Sequence, residues 1–223
     1  DSPPAALPAW TGAVCAAIDA VLDGDADNAF CAVRPPGHHA EAARAMGFCL
    51  FNNVAVGAAH AREVKGLKRV AVVDFDVHHG NGTQSSFEND ADLFYASSHQ
   101  SPCYPGTGAE AESGIAGNIV NAELAPGSGS SEFRKAYERR ILPALRDFAP
   151  ELLILSAGFD AHRRDPLAQL CLEDDDYTWV TRQLMDVATE CCHGRLVSSL
   201  EGGYDLEALA SAVTAHLRVL VDR

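Results

Sequence analysis

The sequence predicts an α/β fold, a single-domain parallel sheet in three layers with helices on both faces. Three observations predict it. Five short apolar runs have the length of buried strands, stretches with helical periodicity separate most of them, and polar clusters directly follow four of them. The length of 223 residues fits one domain, and we expect residues 1–223 to form it.

The five apolar runs are typical of strands that are buried on both faces of a parallel sheet. In chain order they cover residues 30–33, 70–73, 93–96, 152–155 and 196–200. Four stretches repeat apolar residues at helical spacing, over residues 14–22, 133–148, 177–191 and 206–220. Asp205 directly precedes the last stretch, where an aspartate side chain can cap the first turn of a helix.

Composition excludes several classes of function. The formal net charge is −14, and such a surface repels phosphate backbones, so we expect no direct binding to nucleic acid. The chain has seven cysteines and no Cys-x-x-Cys pair, a pattern typical of free thiols in a reducing compartment. The sequence therefore predicts a cytoplasmic location. It contains no apolar run of membrane-spanning length, so we expect no membrane association.

Polar clusters follow four of the five predicted strands. They read RPPGHH from Arg34, DFDVHH from Asp74, SAGFD from Ser156 and EGGY from Glu201. In open parallel sheets, ligands bind beyond the carboxyl ends of the strands. The four clusters are therefore predicted to converge on one site.

The segment DFDVHHGNG, which begins at Asp74, indicates a metal site. Side chains alternate along an extended segment, so Asp74, Asp76 and His78 should face one way and His79 the other. A lone Asp-x-His is most simply a polar strand end, but here Asp160 ends another strand after a glycine. Two carboxylates and one imidazole leave a coordination position open, as catalytic zinc sites do, and Fe²⁺ or Co²⁺ could occupy the same set.

Two further clusters carry candidates for proton transfer and for stabilising an oxyanion. Adjacent histidines, His38 and His39, end the first cluster, and a histidine beside a metal-bound water is a candidate general base. In isolation such a pair is more often a surface feature. Tyr204 follows two glycines that permit a sharp turn, and its phenol could donate to a developing oxyanion. The simpler interpretation is a tyrosine at the core boundary.

Taken together, these motifs resemble the zinc-dependent histone deacetylase family. They are RPPGHHA, GFCLFNNVAVGA, VAVVDFDVHHGNGT, YPGTG, LILSAGFDAH and SLEGGY, in the order of the family. Asn81 points to the class II-like branch and its bacterial amidohydrolase relatives, because class I members carry aspartate there. The resemblance implies the arginase/deacetylase fold and hydrolysis of an N-acetyl amide to an amine and acetate.

The resemblance also implies roles for individual residues. The zinc ligands would be Asp76, His78 and Asp160. His39 would be the general base and then the acid that protonates the departing amine, and Asn81 would orient it. His38, paired with Asp74, would be its electrostatic partner. Tyr204 would polarise the acetyl carbonyl together with zinc.

A substrate channel and a second cation follow from the same resemblance. The channel for the aliphatic lysine stem would be lined by Gly47, Phe48, Tyr104 and Leu167. Family members also carry a structural potassium ion. Its ligands here would be the Asp74 side chain, the Ser97 hydroxyl, the Ser98 carbonyl and the backbone carbonyls of Asp76 and His78.

Several functions stay open from sequence alone. Deacetylation of acetyl-lysine in proteins or peptides is the leading expectation, since polyamine-selective relatives use an acidic rim residue where this chain has Leu167. Acetylpolyamines or other small acylated amines are the alternative substrates. A non-catalytic acyl-lysine binding module has no need of the full residue set. An arginase-type ureohydrolase needs more carboxylates, because it holds two manganese ions.

One departure from the family concerns the start of the chain. Family members usually carry a longer segment before the position of Arg34, so the sequence predicts that the N-terminal part is missing or reduced. That part normally supplies the first strands. A sheet edge left without them would favour association with other chains, and we therefore expect a possible homo-oligomer.

Overall fold

The described residues, 8–222, form one six-stranded parallel sheet in a computed structural model. The strands are β1 (Asn28–Cys31), β2 (Val70–Asp74), β3 (Leu93–Gln100), β4 (Ile119–Leu124), β5 (Leu152–Ala157) and β6 (Leu196–Leu200). The helices are α1 (Ala9–Asp23), α2 (Asn53–Glu63), α3 (Asn81–Phe87), α4 (Ser130–Ala136), α5 (Leu142–Phe148), α6 (Asp174–Cys192) and α7 (Leu206–Val221). A π-helical turn, Tyr137–Ile141, joins α4 to α5.

The strand order places the polar clusters side by side. The order is β1-β6-β5-β2-β3-β4, and every neighbouring pair is parallel. The four strands followed by polar clusters are β1, β6, β5 and β2, which are consecutive in this order. Their carboxyl ends therefore meet at one edge of the sheet, as the sequence predicts.

Two apolar cores cover the two faces of the sheet, because side chains alternate along each strand. In β2, Ala71 and Val73 pack into a core with residues of α4, α5, α6 and α7. Val70 and Val72 pack on the opposite face with residues of α1 and α2. This arrangement confirms the predicted three-layer α/β fold. Within residues 8–222, no helix combines the length and apolar character needed to cross a bilayer.

The structure differs from the sequence prediction in several elements. The edge strand β4 was not predicted, because Asn121 and Glu123 interrupt its apolar pattern. Helices α2 and α3 were not predicted either, because they lie inside motifs that were interpreted as parts of the site. Asn52 caps α2 by accepting a hydrogen bond from the Ala55 N–H at 3.0 Å. The first strand begins two residues earlier than predicted. Asp205 caps α7 as predicted, accepting from the Ala208 N–H at 2.8 Å.

Candidate active site

Three buried side chains at the ends of β2 and β5 form a group that could hold a metal ion. One potential ligand atom from each of Asp76, His78 and Asp160 lies within 4.8 Å of the other two. The His78 Nδ1 atom is 3.1 Å from Asp76 Oδ1 and 3.1 Å from Asp160 Oδ2. Two carboxylates and one imidazole suit Zn²⁺ and leave a position for water or substrate. The residues present therefore fit the metal that the sequence predicts.

Backbone groups hold the carboxylates of this triad in place. Asp76 Oδ2 accepts a hydrogen bond from the Gly202 N–H at 2.8 Å, and Asp160 Oδ1 accepts one from the Val77 N–H at 2.9 Å. Gly158 and Gly202 pack directly on the triad. A Cβ atom on Gly158 would lie 2.5 Å from the Cα atom of Asp76, and one on Gly202 would lie 2.5 Å from its Oδ2 atom. The two glycines therefore form a cradle around the ligands that leaves no space for a side chain.

Protons and a cation compete for the triad. Burial disfavours a charge on His78, but its hydrogen bonds to Asp160 and Asp76 outweigh burial and raise its pKa to about 11. Burial and the charge of Asp76 raise the pKa of Asp160 to about 7. Because metals bind the deprotonated forms of these groups, a cation must displace the protons as it enters.

The two histidines that follow β1 have different partners and different charge. His38 Nδ1 lies 2.9 Å from Asp74 Oδ2, and His39 Nδ1 lies 2.9 Å from Asn81 Oδ1. Burial disfavours protonation of His38, but the charges of Asp76 and Asp74 prevail and raise its pKa to about 10. Burial and the charge of His38 lower the pKa of His39 to about 3. His39 is therefore neutral and able to accept a proton, while His38 beside it carries positive charge.

A cavity of about 400 Å³ is lined at its inner end by His38, His39 and His78. Its lining includes Tyr204 together with all four residues predicted for the channel, namely Gly47, Phe48, Tyr104 and Leu167. The Phe48 ring centroid is 6.0 Å from that of Tyr204, and the Tyr104 ring stands edge to face against His39 at 5.0 Å. Gly47 and Phe48 both have positive φ, 54° and 65°, in the tight turn that presents Phe48. The structure thus brings the predicted channel residues together around one opening.

The loop that carries Tyr204 is held by two residues that sequence reasoning missed. Asp165 accepts hydrogen bonds from the Tyr204 N–H at 2.8 Å and from the Leu167 N–H at 3.0 Å. The Arg34 guanidinium donates to the Gly203 carbonyl at 2.8 Å. The Cζ atom of the same guanidinium lies 5.7 Å from the Tyr204 ring centroid. Burial raises the pKa of Tyr204 above its usual value, so the phenol stays protonated and can donate a hydrogen bond. The sequence signal that could have identified Arg34 is its position at the start of the RPPGHH motif.

Glu201 is a third residue that sequence reasoning missed. It is fully buried, and its carboxylate accepts from the Gly37 N–H at 2.6 Å, the His38 N–H at 3.2 Å and the Ser156 hydroxyl at 3.1 Å. Burial raises its pKa to about 7. One side chain therefore ties together the clusters that follow β1, β5 and β6. Its place at the head of EGGY was the only local signal.

The predicted potassium ligands lie at and just beyond the end of β2 and within the neighbouring strand β3. Asp74 and Ser97 are paired in register, and Ser98 follows. Asp74 also accepts from the Tyr95 hydroxyl at 3.0 Å. His79 is not part of the metal triad, and its ring nitrogens contact Thr107 and Gln84.

Comparison with known proteins gives consistent similarities. The family model described as "Histone deacetylase domain" matches residues 4–220. "Histone deacetylase 14, chloroplastic" of Arabidopsis thaliana is 43% identical over 218 residues, which cover 94% of this chain and 52% of that protein. "Histone deacetylase-like amidohydrolase" of Pseudomonas aeruginosa is 45% identical over 197 residues, which cover 86% of this chain and 52% of that protein. This chain therefore spans about half the length of these two relatives.

A solved structure shares the fold. The crystal structure of the HDA15 HD domain superposes with a TM-score of 0.90 at 40% sequence identity. The match covers 96% of this chain and 61% of that chain. The six-stranded sheet and its helices thus have the arginase/deacetylase architecture that the motifs predict.

Proposed function

The chain belongs to the histone deacetylase domain family, and from that premise we propose that it hydrolyses N-acetyl amides with the help of a zinc ion. The zinc ligands in this proposal are Asp76, His78 and Asp160, and residues 1–223 act as one deacetylase-like catalytic domain. The observation that carries it is the position of this triad. One member of the triad, His78, lines the same cavity as neutral His39 and protonated Tyr204, and the carboxylates of Asp76 and Asp160 contact the His78 ring behind it.

Each group in the cavity has a distinct task in this reaction. Zinc, when bound, supplies Lewis acidity toward the acetyl carbonyl and toward water. The Nδ1 atom of His39 is engaged with Asn81, which leaves its Nε2 atom for proton transfer. Through that atom His39 accepts a proton from the attacking water and returns it to the departing amine. The positive charge of His38, fixed by Asp74, favours the negative charge that develops nearby. Tyr204 donates its phenol hydrogen to the developing oxyanion, a contact typically worth about 2.7–4 kcal/mol in the transition state.

We propose acetyl-lysine in proteins or peptides as the substrate. The opening is flanked by the exposed apolar side chains of Phe48 and Leu167, which suit the aliphatic stem of lysine. A rim that selects a polyamine needs an acidic residue to bind the second amine, and Leu167 offers none. Small acylated amines are the second candidate, since the net charge of −14 attracts cations.

The proposal includes a structural potassium ion and a reducing compartment. Potassium would be held by Asp74, Ser97 and Ser98, with the backbone carbonyls of Asp76 and His78. The seven cysteines are unpaired, which supports the predicted cytoplasmic location. A homo-oligomer stays a prediction.

Acetate release tests the proposed reaction. Zinc-loaded protein is incubated with an acetyl-lysine peptide and, separately, with a small acetylated diamine. We expect turnover of the peptide, and we expect Tyr204→Phe to lower kcat by about 10²–10³-fold, because one oxyanion donor is lost. Zinc content should be unchanged in this variant, since Tyr204 is not a ligand. Turnover of the diamine alone would move the assignment to small amines, and full activity of Tyr204→Phe would contradict the mechanism.

A further inference from the structure

The side-chain amide of Asn81 lies between His39 and a glutamate that the mechanism does not use. Asn81 Oδ1 is 2.9 Å from His39 Nδ1, and Asn81 Nδ2 donates to Glu41 Oε1 at 2.8 Å. Glu41 is half-buried and follows His39 by two positions. Its side chain lines a groove beside the substrate cavity and is not part of the lining of that cavity.

The chemistry of these groups fixes the direction of every hydrogen bond. A carboxylate only accepts hydrogen bonds, so the NH₂ group of Asn81 must face Glu41. The carbonyl oxygen of Asn81 then faces His39, and because a carbonyl also only accepts, the His39 Nδ1 atom must carry the hydrogen. In a neutral imidazole the other nitrogen, Nε2, then has the free lone pair that a general base needs.

We propose that Glu41 is a positioning residue that sets the tautomer of His39 through Asn81. This proposal rests on the proposed role of His39 as the general base. Glu41 belongs neither to the lining of the substrate cavity nor to the metal triad. In this proposal it acts only by holding the Asn81 amide in one of its two orientations. A flipped amide would present NH₂ to Nδ1, favour the hydrogen on Nε2 and remove the base.

Weaker acceptors also surround the same NH₂ group and limit the expected effect. The His39 carbonyl and the Met46 sulfur both lie 3.4 Å from Asn81 Nδ2. They favour the same orientation, but neither carries charge, and charge-assisted hydrogen bonds are roughly twice as strong as neutral ones. Loss of a residue that orients an active-site side chain typically lowers activity by about 10–100-fold. We therefore expect Glu41→Ala to lower kcat by about tenfold, at the low end of this range. KM and zinc content should be unchanged.

The first test is a double-mutant cycle with Asn81→Asp. An aspartate has two equivalent oxygens, so it needs no partner to orient it, and it would repel Glu41 across the short distance that now separates Glu41 from Asn81. Glu41→Ala should therefore lower kcat in the native background and raise it in the Asn81→Asp background. Glu41→Gln should keep nearly full activity with Asn81, because its amide oxygen still accepts. Glu63→Ala, which removes an exposed carboxylate from the same groove, is the matched control.

The second test reads the tautomer itself and does not depend on turnover. Long-range ¹⁵N–¹H correlation spectra of histidine-labelled, zinc-loaded protein distinguish Nδ1–H from Nε2–H, with His39→Ala assigning the signals. We expect Nδ1–H in the native protein and in Glu41→Gln, and a substantial Nε2–H fraction in Glu41→Ala. An unchanged tautomer in Glu41→Ala, or an equal loss of kcat in both backgrounds, would overturn the proposal. If the native protein deacetylates no substrate, the proposed function fails, and the tautomer measurement still decides the role of Glu41.

Discussion

Replacing Gly202 by alanine tests whether the triad is a metal site whose shape the backbone dictates. Gly202 packs on both carboxylates, and a Cβ atom there would lie 2.5 Å from Asp76 Oδ2 and nearer still to Asp160 Oδ2. Real Cβ atoms essentially never approach a heavy atom closer than 3.0 Å. Each carboxylate oxygen must therefore move by at least about 0.5 Å. The backbone cannot retreat freely, because the Gly202 N–H donates to Asp76 Oδ2 at 2.8 Å.

This displacement is large on the scale of metal coordination, where ligand distances are fixed to about 0.2 Å. We expect Gly202→Ala to weaken zinc binding by about 100-fold, the upper end for a change just behind the ligands. Competition with a fluorescent zinc chelator measures the dissociation constant, and far-ultraviolet circular dichroism checks that the sheet persists. Gly12→Ala in α1 is the matched control, because a Cβ atom there meets nothing within 4 Å. Wild-type zinc affinity in a folded Gly202→Ala protein would refute the assigned ligand geometry.

Three further predictions follow from other groups. Zinc binding at pH 7 should release between one and two protons, because His78 has a pKa of about 11 and Asp160, with a pKa of about 7, is about half protonated. Calorimetry in buffers of different ionisation enthalpy measures the number of protons released. Burial lowers the pKa of His216 to about 3, so between about pH 6.5 and pH 3 the unfolded chain binds this proton and the folded chain does not. Stability that is fully present above pH 6.5 is then lost toward pH 3, by up to about 1.4 kcal/mol per pH unit, and His216→Gln should flatten this slope in urea unfolding. Asp165→Asn keeps only one side-chain oxygen to accept from the Tyr204 and Leu167 N–H groups, so the Tyr204 loop should be held less well. Acetate-release kinetics should then show kcat lowered by about 10–100-fold at unchanged zinc content.

Each of these predictions has a result that contradicts it. Zinc uptake without proton release would mean that His78 is not protonated before the metal enters. An identical pH slope in His216→Gln would show that other groups dominate acid sensitivity in this range. Full activity of Asp165→Asn would mean that the Tyr204 loop holds its position without this carboxylate.

The sequence predicts the sheet and the site well where the signal is local. Buried strands such as β2 and β5 are continuous apolar runs, and the polar residues that follow them are adjacent in sequence. The order of strands in the sheet then brings four separate clusters to one edge. The edge strand β4 was not predicted, because only one of its faces is strongly apolar. Asn121 and Glu123 on the other face interrupt the apolar sequence of the strand.

The supporting residues of the site could not be predicted in the same way. Glu201 bonds to Gly37, which is 164 residues away along the chain, and Asp165 bonds to Tyr204 across 39 residues. No local pattern marks such a partner, since its role depends on where the fold places its carboxylate. Glu41 is closer in sequence to His39, but its effect passes through Asn81, and this link is visible only in three dimensions.

A zinc titration of metal-free protein tests the central claim most directly. Acetate release from an acetyl-lysine peptide is measured as zinc is added, alongside Asp76→Ala at the same concentrations. We predict that activity rises from zero, reaches a plateau at one equivalent of zinc, and does not rise in Asp76→Ala. Activity that is independent of zinc, or that persists in Asp76→Ala, would contradict the assignment of this triad as the catalytic metal site.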